Sequence, residues 1–253
     1  MTIHCSLYLP CADKVVETLQ SAVTSLGYQF YDPFGLIPGK AYSQAVRLFV
    51  APAHGGWTRI LGESPDPALP PFLSKLAPCL WVELDGTEAN IRAFADGASV
   101  SPEIAFPAEA DCIRLALNQT SSATSASLGG VTLDALPDDV QALSGQIDMQ
   151  KAGALFNRMS GNLAKKSGAE ASAADLLKQP DWNSTGGVRV SGLLKCLRIL
   201  DWRQPDFVTL RDAYALHLRR QRSPNARLYP GDAETLAAVP DALAYTPIYA
   251  GRS

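Results

Sequence analysis

Residues 2–9 (TIHCSLYL) alternate aliphatic residues with polar or aromatic ones, and this alternation decides the predicted fold. Residues 45–50 (AVRLFV), 57–61 (WTRIL) and 80–85 (LWVELD) share the pattern. Successive side chains of a β-strand point to opposite faces, so a period of two indicates half-buried strands. We therefore expect four strands with one mixed face and one aliphatic, core-facing face. The predicted core-facing residues are Ile3, Cys5, Leu7, Leu9, Val46, Leu48, Val50, Ile60, Leu80, Val82 and Leu84.

Helical spacing and caps predict the elements between these strands. Apolar residues over 13–26 recur at helical spacing, and Gly27 follows as a left-handed cap. Gly55 and Gly56 favour a hairpin between the second and third strands. A short helix over 72–76 and a helix over 87–97, with Thr87 as N-cap, complete a β-α-β-β-α-β-α order. The expected class is α+β, with a mainly antiparallel sheet and helices on one of its faces.

A composition break divides the chain into two predicted domains. Residues 119–130 (QTSSATSASLGG) are small, polar and uncharged, which is typical of a flexible linker. Residues 1–118 form the predicted α+β sandwich domain. Residues 131–253 form a mostly helical domain, with helices predicted from Asp148 and over 171–178, 188–200, 206–222 and 232–239. An extended segment over 241–249 follows them.

Composition indicates a globular cytoplasmic protein. The chain has 253 residues, of which 47% are hydrophobic and 19% charged. No apolar run reaches the roughly 20 residues of a membrane span, and the N-terminus does not resemble a signal peptide. The five scattered cysteines favour reduced thiols over a disulfide framework.

Catalytic and cofactor motifs are absent from the sequence. Residues 35–41 (GLIPGKA) differ from a phosphate-binding loop, because one residue is missing between the glycines and Ala41 replaces the hydroxyl residue. Nucleophile-elbow, dinucleotide-binding and zinc-protease signatures are not found. With three histidines in all, a histidine-rich metal centre is not expected. We predict no cofactor and no metal site.

The mixed sheet face is the predicted binding surface for a protein or small-molecule partner. Trp57 and Trp81 could offer stacking surfaces or be buried, and His54 lies in a glycine turn that allows close approach of a ligand. Glu83 and Asp85 share a face and could hold magnesium or act as acid and base, but cross-strand pairing with arginines is the simpler interpretation. The candidate residues are Tyr8, Arg47, Phe49, His54, Trp57, Arg59, Trp81, Glu83 and Asp85.

A basic cluster near the C-terminus suggests a second candidate surface. Arg219, Arg220 and Arg222 end a predicted helix, and Arg227 follows them. A basic helix after a turn is typical of nucleic-acid-binding proteins. However, arginines also stabilise the C-terminal end of a helix, and a pI near 5.6 gives no broad basic field.

The leading hypothesis from the sequence is a non-catalytic module that binds a protein or a small molecule through the mixed sheet face. A nucleic-acid-binding regulator that uses the C-terminal arginines is one alternative. A metal-assisted hydrolase that uses Glu83 and Asp85 is another. Nucleic acid is the less favoured partner, and no membrane interaction is predicted.

Overall fold

The computed structural model describes residues 4–10, 14–35, 42–63, 66–119, 180–199, 205–225 and 227–253. Within these ranges, eight strands form one antiparallel sheet that is covered by helices, so the predicted α+β class is confirmed. The strand order across the sheet is β2-β8-β3-β4-β1-β5-β6-β7. The strands are β1 (His4–Pro10), β2 (Gln29–Phe30), β3 (Gln44–Val50), β4 (Trp57–Gly62), β5 (Cys79–Asp85), β6 (Glu88–Ala95), β7 (Ala98–Val100) and β8 (Thr246–Arg252).

Seven α-helices are found in the described ranges. They are α1 (Val15–Ser25), α2 (Leu69–Leu73), α3 (Pro102–Ala105), α4 (Ala110–Leu117), α5 (Thr185–Cys196), α6 (Phe207–Arg222) and α7 (Asp232–Ala238). Short 3₁₀ turns occupy Pro107–Glu109 and Ala242–Ala244. None of these helices combines the length and apolar character needed to cross a bilayer.

Tight glycine turns join neighbouring strands. The predicted β3–β4 hairpin is confirmed: His54 and Trp57 exchange backbone hydrogen bonds of 2.8 and 2.9 Å, and Gly55 and Gly56 both have positive φ. The helix predicted over 87–97 is wrong, because these residues form β6 and the turn to β7. Asp96 and Gly97 both have positive φ, which is the geometry of a two-residue hairpin loop and not of a helix cap.

Helices cover both faces of the sheet, which corrects the prediction of helices on one face. On the first face, α1 and α2 pack on the aliphatic residues of β1, β3 and β8, with Leu7 and Leu48 at the centre. On the second face, α5 covers Tyr8, Leu80 and Val82. α6 covers another part of the second face, which carries Phe49, Leu61 and Tyr249. The predicted mixed face is therefore largely buried.

The predicted facing of β5 is reversed. Trp81 pairs directly with Leu7, and Leu80 pairs with Tyr8. Because directly paired residues point to the same face, Trp81 lies in the aliphatic core, whereas Leu80 and Val82 lie beneath α5. Most of β5 is buried on both faces, so its apolar pattern does not distinguish them.

The division into two domains stays a prediction. Residues 120–130 of the predicted linker lie outside the described residues, as do the helices predicted from Asp148 and over 171–178. The predicted extended segment over 241–249, placed after the helices of the second domain, overlaps β8, which pairs with all seven residues of β3. Residues 246–252 therefore belong to the same sheet as the N-terminal strands, between β2 and β3.

The cysteine pattern is also corrected by the structure. Cys112 of α4 and Cys196 of α5 form a disulfide across 84 residues of sequence, with their Cα atoms 5.7 Å apart. Cys5 and Cys79 are buried free thiols, as expected of reduced cysteines. Sequence spacing missed the disulfide because the two cysteines are brought together only when α4 packs on α5.

Candidate functional site

A cleft lies on the second sheet face between the helices that cover it. The apolar residues of α5 pack on β5 and part of β1, whereas those of α6 pack on β3 and β8. Between them, over the central pair β1 and β4, a cavity of about 270 Å³ remains. Its lining residues are Tyr8, Ala51, Pro52, Ala53, His54, Trp57, Arg59, Ile199, Asp241 and Tyr245.

The floor of the cleft combines an aromatic ring with a cation. Tyr8 on β1 and Arg59 on β4 are directly paired, so both side chains point into the cleft. Arg59 Nε donates a hydrogen bond of 3.1 Å to Ser6 Oγ, and the guanidinium carbon lies 6.0 Å from the centre of the Tyr8 ring. Burial raises the pKa of Tyr8, and Arg59 opposes this shift. The floor therefore holds a neutral phenol and a half-buried positive charge.

The first wall is the β3–β4 hairpin. Its loop, residues 51–54, forms the rim, and Trp57 stands at the start of β4. Trp57 Nε1 donates a hydrogen bond of 3.1 Å to the Leu197 carbonyl, directly after α5, and the Trp57 ring packs 5.8 Å from that of Phe106. This hydrogen bond connects the hairpin to the end of α5.

The second wall comes from two segments distant in sequence. Ile199 follows α5, while Asp241 and Tyr245 flank the 3₁₀ turn before β8. Burial raises the pKa of Tyr245, as does the Asp241 carboxylate, and Arg59 opposes the shift. The Tyr245 hydroxyl is thus protonated at neutral pH and lies within the fields of both a cation and a carboxylate.

The chemistry of the cleft suits recognition. Its charged groups are one arginine on the floor and one aspartate at the rim, and its aromatic rings supply flat apolar surface. The protonated phenol of the half-buried Tyr245 can donate or accept a hydrogen bond, whereas that of Tyr8 is fully buried beneath the cleft. Throughout the described ranges, no group of three or more His, Cys, Asp or Glu residues is arranged to hold a metal ion.

Four of the nine predicted sheet-face residues line the cleft: Tyr8, His54, Trp57 and Arg59. Arg47 lies elsewhere on the surface, where it forms a 2.5 Å ion pair with Glu63. Phe49 is fully buried beneath α6. Trp81 lies on the opposite face of the sheet, with the Arg92 guanidinium 4.2 Å from its ring centre.

The two acids of the hydrolase hypothesis share the opposite face from the cleft. Glu83 accepts a 2.7 Å hydrogen bond from Asn90 and lies 3.5 Å from Arg92, which makes it part of a cross-strand polar group. Asp85 is exposed where β5 ends. These neighbours fit the simpler interpretation of cross-strand pairing, with Arg92 as the arginine in place of Arg47 or Arg59.

The arginine cluster makes contacts within the protein. Arg219 donates to the Arg227 carbonyl, stacks 5.3 Å from the Tyr229 ring centre and lies 3.9 Å from Asp232. Arg222 donates a 2.7 Å hydrogen bond to the Phe34 carbonyl. Arg220 and Arg227 are exposed. These contacts tie the end of α6 to two neighbouring loops.

Sequence reasoning missed the wall formed by Ile199, Asp241 and Tyr245. The separation between Arg59 and Tyr245 is large, and no local pattern indicates that they meet. The one available signal was the extended segment over 241–249, since another strand of the same sheet would bring its flanking residues near the sheet face.

Comparison with known proteins finds no matching family model, no matching curated protein and no matching solved structure.

Proposed function

We propose that the protein is a non-catalytic binding module whose cleft takes a small molecule with a planar ring and one anionic group. The observation that carries this proposal is the position of Arg59, a half-buried cation on the floor of a cavity with aromatic walls. A partly desolvated cation attracts an anion more strongly than one in bulk water. Charge-assisted hydrogen bonds to a carboxylate or phosphate are the strong ones.

Cavity size favours a small ligand over a protein partner. The volume of about 270 Å³ lies just below the range of roughly 300 to 1,000 Å³ typical of small-molecule sites. It suits a single ring with one or two substituents. A stable protein interface buries roughly 800 Å² of surface on each partner. The feature on which this proposal is based is a concave cavity and not a broad surface.

Aromatic and charged side chains define the ligand class further. Trp57 and Tyr245 offer flat surfaces against which a ring can pack. Asp241 at the rim repels a second negative charge on the ligand. The expected ligand therefore carries one anionic group, directed at Arg59.

The experiment uses benzoate as the probe and benzylamine, of similar size and opposite charge, as the matched ligand control. Binding is measured by saturation-transfer NMR and by titration of Trp57 indole chemical shifts. Arg59→Gln should weaken benzoate binding by roughly 10- to 150-fold, which corresponds to the loss of a hydrogen bond to a charged group worth about 1.5 to 3 kcal/mol.

The control variant is Arg114→Gln, which removes an exposed arginine of α4 that pairs with Asp111. It should bind benzoate like the wild type. Three results contradict the proposal: no binding of benzoate to the wild type, equal binding of benzylamine, or unchanged affinity in a folded Arg59→Gln protein.

The two alternative functions, nucleic-acid binding and metal-assisted hydrolysis, have less support. A nucleic-acid role relies on arginines of which Arg219 and Arg222 already bond to neighbouring loops. A hydrolase role relies on Glu83, which already bonds to Asn90 and pairs with Arg92. Both alternatives would use surfaces outside the cleft.

A further inference from the structure

The helices α4 and α5 run side by side in opposite directions and are joined at three levels. At one end, Arg189 Nε donates a 3.0 Å hydrogen bond to the Gln119 carbonyl. In the middle, Gly192 lets the helices approach closely, since a Cβ atom there would lie 3.0 Å from that of Ala116. At the other end is the Cys112–Cys196 disulfide.

The disulfide end of this helix pair is also the cleft end. Cys196 is the last residue of α5, and the next residue, Leu197, accepts the hydrogen bond from Trp57. Ile199 lies two residues further on and lines the cleft. Both wall contacts thus depend on the position of the turn over 197–199, whose start is covalently fixed to α4.

This turn contains an unfavourable backbone conformation. Arg198 has φ of 55°, the left-handed region in which glycine is normally preferred. Two hydrogen bonds hold it: Arg198 N–H donates to Lys195 O at 3.0 Å, and Ile199 N–H donates to Leu194 O at 2.9 Å. At the equivalent position after α1 the chain has Gly27. The turn after α5 therefore relies more on support from its surroundings.

The disulfide is within reach of solvent reagents, whereas Cys5 and Cys79, the free cysteines within the described ranges, are buried. Cys112 is exposed and Cys196 is half-buried. Burial raises the pKa of Cys79 to about 12 and also raises that of Cys5, where Glu83 adds to the shift. Because thiol exchange needs a thiolate, Cys5 and Cys79 do not compete in it near neutral pH. Exposed disulfides are the ones that exchange readily.

We propose that the Cys112–Cys196 disulfide is a redox-sensitive lock on the cleft, an inference that rests on the proposed binding function. A dithiol reductant attacks the disulfide, the S–S bond breaks, and two S–H groups form. The two electrons and two protons come from the reductant, whose own thiols become a disulfide. In the oxidised state the turn over 197–199 holds Trp57 and Ile199 in place. In the reduced state the turn loosens and the cleft binds its ligand more weakly.

The test compares the full-length oxidised protein with the same protein after treatment with dithiothreitol. Hydrogen exchange of the Trp57 indole N–H and of the 197–199 amides is followed by NMR, with the Trp57 signal assigned by its loss in Trp57→Phe. Reduction should accelerate these exchanges by about tenfold, because the local opening becomes easier. Cys112→Ser combined with Cys196→Ser should show the fast exchange with and without dithiothreitol.

The matched control is Arg189→Gln, which removes the contact at the far end of the same helix pair. It should leave Trp57 exchange unchanged in the oxidised state. Unchanged exchange in wild-type protein whose Cys112 and Cys196 thiols are shown to be free by alkylation and mass spectrometry overturns the lock. That measurement also decides the question if the double variant fails to fold.

Benzoate titrations in both redox states separate this inference from the proposed function. Weaker binding after reduction supports both. If benzoate binds neither state while Trp57 exchange still responds to reduction, the proposed ligand is wrong and the mechanical coupling stands. If benzoate binds both states equally and exchange is unchanged, the binding function stands and the lock is wrong.

Discussion

At the residue scale, His4 shows how burial controls a titration. Its side chain is 6% exposed on β1 and packs edge-on against Trp182, with ring centres 4.9 Å apart. Burial, with a smaller effect from Arg59, lowers its pKa from 6.5 to about 3. Its Nε2 atom has no hydrogen-bond partner among the described residues. The folded protein thus keeps a neutral imidazole where the unfolded chain would accept a proton.

This predicts acid sensitivity with a defined sign. Below pH 6.5 the His4 side chain is protonated in the unfolded state, whereas in the folded state it stays neutral down to about pH 3. The free energy of unfolding therefore falls as the pH falls from 6.5 to about 3. One such proton gives a limiting slope of about 1.4 kcal/mol per pH unit. His4→Phe should remove this slope, measured by urea unfolding between pH 4 and pH 7.

The control for this prediction is His54→Gln, at an exposed histidine in the hairpin, which should retain the slope. A His4→Phe protein with the same acid sensitivity as the wild type would assign the effect to other groups. Its stability at pH 7 should remain within about 1 kcal/mol of the wild type, because an aromatic ring replaces one without a hydrogen bond at Nε2.

Residue parity shows how far local sequence predicts the site. Tyr8 and Arg59 could be placed on one face because β1 and β4 each have a clear polar side. The face of Trp81 could not be predicted in this way, because Trp81 and both of its neighbours in β5 are apolar. Its face is set only by its pairing with Leu7 of β1. Alternation predicts facing where the two faces of a strand differ clearly in polarity, as in β1, and not where both carry large apolar residues, as in β5.

At the element scale, two glycines position α5 on the sheet. Ser184 caps this helix by accepting a 3.1 Å hydrogen bond from Gly187 N–H, and Gly186 rests on the turn between β5 and β6. A Cβ atom at Gly186 would lie 2.8 Å from the Ala89 nitrogen and closer still to the Thr87 carbonyl. The sequence prediction started this helix at residue 188 because glycines are poor helix formers, whereas close packing requires them here.

Gly186→Ala should therefore destabilise the protein by about 1 to 3 kcal/mol, the usual cost of overpacking. The nearest atoms to the new methyl, Thr87 O and Ala89 N, belong to the backbone, so they have little freedom to move away. Gly192→Ala in the same helix is the milder comparison, because the nearest atoms to its new methyl would be the Ala116 Cβ at 3.0 Å and the Gln119 Oε1 at 3.4 Å, and no backbone atom would lie closer than 3.6 Å. Urea unfolding monitored by circular dichroism measures both variants. Equal stability of the two would show that α5 can shift on the sheet at little cost.

The helix predicted over 87–97 fails for a related reason at this scale. Thr87 and Gly97 fit the caps of a helix, but the same residues fit two hairpin turns. These residues form a strand because β6 pairs with β5 over seven positions. This pairing is non-local, so local propensity does not predict it.

At the scale of the whole molecule, the sheet joins strands that lie far apart in the sequence. β8 pairs with β3 along its full length, and Ile248 and Ala250 enter the aliphatic core on the first face. Tyr249 enters the aromatic cluster under α6 on the second face, 5.8 Å from Phe49. The class of the fold could be predicted from strand and helix periods, but this closure could not, because nothing local links residue 48 to residue 248.

The strand closure predicts how the predicted 1–118 domain behaves by itself. This fragment lacks β8 and the helices α5 and α6, so it exposes β3 as an edge and uncovers Tyr8, Phe49 and Leu80, which are fully buried in the intact protein. Exposed edges and apolar faces favour association over folding. We expect fragment 1–118 to show no cooperative thermal transition and to aggregate, as monitored by circular dichroism and size-exclusion chromatography. Co-expression with 119–253 should restore a soluble complex with a cooperative transition, because the missing contacts do not require an unbroken chain. A fragment 1–118 that unfolds cooperatively alone would show that the N-terminal elements are an independent domain and that β8 is an addition to a finished sheet.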